Sequence, residues 1–170
     1  VNDNFLSSDD KVNAINLLSK ACGKNGMVFG QYLDIENENN QSIDIKKLDD
    51  IHNLKTGKLI ECAVMLGQIG SSLESESLNA LRDFSSKIGL AFQITDDILD
   101  VTQIESILGK NKNSDAKNNK LTYIDIIGLG EAKLKANKLT DLALNSLNQS
   151  NITNIDKLIE MAKYLIGRES

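Results

Sequence analysis

The stretch GLAFQITDDILD, Gly89 to Asp100, decides how the rest of the chain is read. Written on a helix it is apolar almost all round, yet Gln93, Asp96, Asp97 and Asp100 fall together, because positions three and four apart share a face. Carboxylates one turn apart repel each other, and burying them without a counter-charge is costly. Spacing alone makes a DDxxD more often a solvated helix face than a metal site. The flanks alter that balance: with GLAFQI before the turn and LDV closing it, the acids point either into the core or into a wet cleft. Hard carboxylate oxygens there suit Mg2+, which proteins usually hold through one or two carboxylates while substrate phosphates and water complete its shell.

Upstream, Leu78, Leu81, Phe84 and Ile88 lead into Phe92, Thr95 and Leu99 as the buried stripe of the same helix, with Ser71 to Ser77 as a serine and glutamate linker before it. Asp44 caps a longer helical pattern that runs to about Gly70, with Ile45, Leu48, Ile51, Leu59, Ala63, Leu66 and Ile69 or Gly70 as its apolar stripe. In its middle, HNLKTG at His52 to Gly57 predicts a kink. Gly57 weakens the helix by about 1 kcal/mol relative to alanine, and Thr56 can bond back to a carbonyl one turn earlier. Gly26 to Ile35, GMVFGQYLDI, is mostly apolar but carries Gln31 and Asp34 three apart, the pattern of a cavity wall.

Ser8 to Gly23 opens with a cap and an acidic first turn, sets Val12, Ile15, Leu18 and Cys22 on one face, and stops at glycine. Glu36 to Ser42 and Lys110 to Asn119 are polar connections. Helical patterns resume over Thr122 to Gly128, Glu131 to Leu147 and Asn154 to Ile166. With no alternating strand pattern and no internal repeat, the expected fold is all-α.

The 170 residues suffice for one domain with a sizeable core, and 41% hydrophobic with 25% charged residues is ordinary for a globular chain. A net charge of −5 argues against a general nucleic-acid or acidic-membrane surface while leaving room for a local basic pocket. Cys22 and Cys62 have neither CxxC spacing nor the density of a disulfide scaffold, and are read as reduced core residues. No run reaches about 18 apolar residues and no signal-peptide pattern appears in these residues, so no integral membrane segment is expected and the cytosol is the expected compartment. Proline is absent, where average usage predicts about eight, in keeping with long uninterrupted helices.

A phosphate ligand needs positive charge elsewhere, and Lys55, Lys110 and Lys120 are the candidates. Each alone is more often a solvated lysine; their value lies in combination. Four stretches then stand together in order: GMVFGQYLD (Gly26 to Asp34), HNLKTGKLI (His52 to Ile60), GLAFQITDDILD, and LGKNKNSDAKNNKLTY (Leu108 to Tyr123). On these the chain resembles the C-terminal half of a trans-isoprenyl diphosphate synthase, nearest the bacterial farnesyl diphosphate synthases, or geranyltranstransferases. The resemblance implies that residues 1–170 are the C-terminal part of a single polyprenyl synthase domain of the isoprenoid-synthase helical-bundle type. Asp96, Asp97 and Asp100 match the family's second aspartate-rich motif, a Mg2+ site. Lys55 and Lys110 match lysines that grip the allylic diphosphate, Thr56 and Gln93 match residues facing the carbocation, and Gln31 matches a glutamine lining the allylic cavity. Lys120 matches a lysine at the mouth of the site. The implied reaction ionises an allylic diphosphate (dimethylallyl or geranyl), adds the cation to isopentenyl diphosphate and removes a proton, giving farnesyl or geranyl diphosphate.

Three positions depart from the family pattern. Phe29 stands at a usual glycine and is expected to narrow the space beside Gln31; Asn113 replaces a loop glycine; Ile124 replaces a proline that would pre-set a helix start. The family's first aspartate-rich motif, its two arginines and the isopentenyl diphosphate-binding residues have no match in these 170 residues. Asp9 and Asp10 lack the spacing. The expectation is therefore a fragment that is inactive alone, from a protein that is a homodimer when whole. Two other functions fit parts of the pattern: a non-catalytic partner subunit of a heteromeric prenyl synthase, and a class I terpene cyclase. HNLKTG and the GK…KLTY stretch favour chain elongation over cyclisation.

Overall fold

A computed structural model describes residues 5–38, 40, 42–107 and 121–167, with the side chains of 103–107 left aside. Seven α-helices follow in order among the described residues: α1 (Ser8–Cys22), α2 (Met27–Glu36), α3 (Ile45–His52), α4 (Lys58–Gly67), α5 (Ser75–Ile107), α6 (Tyr123–Asn148) and α7 (Asp156–Ile166). A π-helical turn, Asn53–Gly57, joins α3 to α4. No strand occurs among the described residues, so the all-α expectation stands.

The long helix α5 is the axis. Its first half contributes Leu81, Phe84 and Ile88 to one core cluster, with Met65 of α4, Ala143 and Leu147 of α6 and Ala162 of α7. Its second half contributes Leu90 and Ile94 to another, with Leu48 of α3 and Tyr123, Ala132 and Ala136 of α6. Leu90, Ala91 and Ile94 are buried beyond the predicted stripe, because this half of α5 is enclosed by the π-turn on one side and α6 on the other.

Local chemistry explains most boundaries. α1 is capped by Ser7, one residue before the expected cap, in a reciprocal pair with Asp10. Asp44 caps α3 as expected, its carboxylate accepting from the Lys47 N–H. α6 needs no proline at Ile124, because Thr122 and Asp125 form a capping box. The two helical patterns predicted there join end to end, broken only at Gly128, whose φ of 78° no side-chain-bearing residue adopts easily. α5 begins at Ser75, inside the predicted linker, and buries Ser77.

Two apolar faces differ from expectation. Val12, Ile15 and Leu18 do share one face of α1, but that face is exposed; the helix anchors instead through Ala21, and Cys22 is only half-buried. In α4 the buried residues are Cys62 and Met65, while Ala63 is exposed. Both cysteines are free. Among the described residues no helix is long and apolar enough to cross a membrane.

The predicted kink is the π-turn, and two glycine contacts pin it. A Cβ on Gly30 of α2 would lie 2.2 Å from the backbone nitrogen of Lys55, and one on Gly89 of α5 would lie 2.9 Å from the Cα of Gly57. Helix backbones therefore press on the turn from both sides at distances only glycine permits. Gly30→Ala forces that packing apart and is expected to destabilise the chain by about 2 kcal/mol in chemical denaturation. Gly67→Ala, where a Cβ meets nothing within 4 Å, is expected to leave stability unchanged or slightly raised.

Candidate active site

Lys55 and Thr56 sit in the π-turn. Inserting one extra residue into a helical turn widens it and breaks the regular bonding, which is why single π-turns recur at functional sites. Here the turn sets neighbouring side chains on different helices. The Lys55 Nζ donates to Asp34 Oδ2 of α2 at 2.5 Å, and the Thr56 hydroxyl donates to Gln93 Oε1 of α5 at 3.0 Å. Thr56 thus reaches across to α5 rather than back to its own helix, and the kink owes its shape to the π-turn.

The Asp34 side chain is only 8% exposed while that of Lys55 is 28% exposed, so a buried carboxylate anchors an ammonium that still reaches the solvent side. Gln31, one turn before Asp34, is exposed on α2. Phe29 stacks on Tyr32, ring centroids 6.1 Å apart, and both rings lie on the exposed side of the helix.

One turn beyond Gln93 the three aspartates diverge. Asp96 is half-buried, Asp97 is buried and Asp100 is exposed. Asp97 Oδ2 accepts the backbone N–H of Tyr123 at 3.1 Å, the first helical residue of α6, where backbone N–H groups lack helical acceptors and favour a negative charge. Among the described residues no three His, Cys, Asp or Glu side chains converge as a complete cage for a metal ion. Carboxylates at Asp96 and Asp100 nevertheless offer the hard oxygens Mg2+ takes, in the small number that leaves positions for substrate oxygens. Lys110 and Lys120 lie outside the described residues, as does Asn113.

A second polar group, missed in the sequence, lies behind the aspartates. The Tyr123 hydroxyl donates to Asp49 Oδ1 of α3 at 2.5 Å. Lys135 of α6 donates to both oxygens of Asp49, at 2.7 and 2.8 Å, and lies 4.9 Å from the Tyr123 ring centroid. The buried ring of His52 meets the Tyr123 ring edge-on at 5.4 Å. Burial, and then the Asp49 carboxylate, push the Tyr123 phenol far above its ordinary value, so it stays a neutral donor at any working pH. A lysine placed between Ala132 and Ala136, on the buried stripe of α6, was the sequence signal for an acidic partner.

The model of the polyprenyl synthetase family matches residues 3–162. The chain belongs to that family. It is 38% identical over 166 residues to the farnesyl diphosphate synthases of Micrococcus luteus and of Escherichia coli strain K12, in each case covering 96% of this chain and 55% of the relative. It superposes on a geranyltransferase from Helicobacter pylori, solved with magnesium and isoprenyl diphosphate, with a TM-score of 0.74 and 33% identity, covering 95% of this chain and 52% of the other. The chain thus spans about half the length of the relatives it matches.

The Asp34–Lys55 pair makes a sharp test. Lys55→Met leaves a buried carboxylate without its ammonium and is expected to destabilise the chain more than the Asp34→Asn, Lys55→Met double variant does. The coupling in a double-mutant cycle is expected to be on the order of 1–2 kcal/mol; additive effects would mean that the pair contributes nothing.

Proposed function

We propose that this chain supplies the allylic-diphosphate half of a prenyltransferase site, in a protein that condenses dimethylallyl or geranyl diphosphate with isopentenyl diphosphate to farnesyl or geranyl diphosphate. The observation that carries it is the junction of the π-turn with α5, where Thr56 bonds Gln93 one helical turn before Asp96. Lysine, hydroxyl, amide and carboxylate are gathered on neighbouring elements of a chain that belongs to the polyprenyl synthetase family.

Each residue has a physical task. Asp96, with Asp97 and Asp100, would hold Mg2+, which when bound supplies charge neutralisation to a diphosphate leaving group. Lys55, kept in place by Asp34, presents a fixed positive charge to the same diphosphate and acts as electrostatic catalyst on the charge developing there. Lys110 and Lys120 are proposed to add to that charge. The oxygens of Thr56 and Gln93 face the carbon that becomes electron-poor, while Gln31 borders the allylic chain. The apolar packing of α5 behind them limits water, which would quench a cation.

DDxxD occurs once in these 170 residues, so the chain alone is proposed to be inert, and the whole protein is proposed to work in the cytoplasm as a homodimer. Calorimetry with geranyl S-thiolodiphosphate, which resists ionisation, tests the assignment. Mg2+-dependent binding is expected, weakened about tenfold or more by Asp96→Asn and also weakened by Lys55→Met. Binding indifferent to Mg2+ and to Asp96→Asn would contradict it, and prenyl transfer by the purified chain would contradict the inertness.

A further inference from the structure

The network around Tyr123 forms a second link between the π-turn and the aspartate turn of α5, beside the Thr56–Gln93 bond. α3 carries Asp49 and His52 and runs directly into the π-turn that bears Lys55 and Thr56. Lys135 grips Asp49 through both oxygens, Asp49 takes the Tyr123 hydroxyl, and the backbone N–H of Tyr123 is given to Asp97. The path is continuous: α6 to α3 to the start of α6 to the aspartate turn on α5. Every link is a charged or charge-assisted bond, stronger and more directional than a neutral one, and the Tyr123 ring at its centre packs among buried His52, Leu48 and Ile94.

Building on the prenyltransferase assignment, we infer that Asp49, Lys135 and Tyr123 are positioning residues for Asp97, setting how the aspartate turn on α5 stands relative to Lys55 on the π-turn. None of the three needs to reach a ligand. The Tyr123 N–H engages one oxygen of the Asp97 carboxylate and so restrains that carboxylate. The Tyr123 backbone is fixed in turn because its phenol is tied to Asp49. Loss of the phenolic bond leaves the helix cap of Thr122 and Asp125 intact but lets the first residue of α6 shift against Asp97. Partners one step removed from a metal-binding carboxylate commonly change metal affinity by about tenfold or more, which is the size of effect expected here.

The experiment titrates Mg2+ against the whole chain in the presence of inorganic diphosphate, by calorimetry, beside thermal unfolding of each variant. Tyr123→Phe keeps the ring, its contact with His52 and its backbone N–H, and is expected to raise the half-saturating Mg2+ about tenfold. Asp49→Asn is expected to do the same, and Tyr123→Phe carries the test alone where Asp49→Asn fails to fold. Ile88→Val, which trims the other core cluster, is expected to lower the melting temperature without moving the Mg2+ half-saturation. An unchanged half-saturation in Tyr123→Phe, or an equal rise in Ile88→Val, would overturn the positioning role while leaving the prenyltransferase assignment standing. Absence of Mg2+-dependent diphosphate binding in the unaltered chain would overturn both.

Discussion

The backbone of the π-turn is held between two helices by contacts that leave no room for a side chain, at Gly30 against Lys55 and at Gly89 against Gly57. A π-turn is less favourable than the α-helix it interrupts and persists where its surroundings over-determine it. Here α2 and α5 do so with backbone rather than with flexible side chains, so the turn is fixed to within the hardness of van der Waals contact. The direction in which Lys55 and Thr56 leave the turn follows, and so do their reach to Asp34 on one side and Gln93 on the other. The chemistry proposed for the chain depends on that fixed divergence.

Charge is handled in the same manner. Three acids around the candidate site are each met by a donor that holds them in place: Lys55 for Asp34, the start of α6 for Asp97, Lys135 and the Tyr123 hydroxyl for Asp49. In surroundings of lowered dielectric such pairings make the groups directional as well as affordable. Preorganised charge is what stabilisation of a developing diphosphate anion requires, since charges that had to reorient during the reaction would return much of their benefit as reorganisation.

The all-α fold, the capping of α3 by Asp44 and the irregularity at HNLKTG were legible because each follows from local sequence: periodicity, a capping side chain, a glycine inside a helix. The form of that irregularity was not, since a π-turn is imposed by Gly30 and Gly89 from elsewhere in the chain. Asp96 and Lys55 could be singled out from residue type and order, and the structure brings Lys55, Thr56 and Gln93 onto neighbouring elements. The divergence of Asp96, Asp97 and Asp100 was hidden, because which of three acids turns inward depends on where α6 begins. Asp49 and Lys135 were hidden for the same reason: they lie 86 residues apart, and a pair at that separation leaves no local pattern. The exposure of Val12, Ile15 and Leu18 shows the complementary limit, as an amphipathic spacing identifies a face without saying what covers it.

The most direct measurement is a crystal structure of the chain grown with Mg2+ and inorganic diphosphate. The expected result is diphosphate between the Lys55 ammonium and the Asp96 carboxylate, Mg2+ on Asp96, and the turn at Asn53–Gly57 unchanged in its π form. Diphosphate bound elsewhere on the chain with Asp96 left to solvent, or an Asn53–Gly57 segment rewound into regular α-helix, would contradict it.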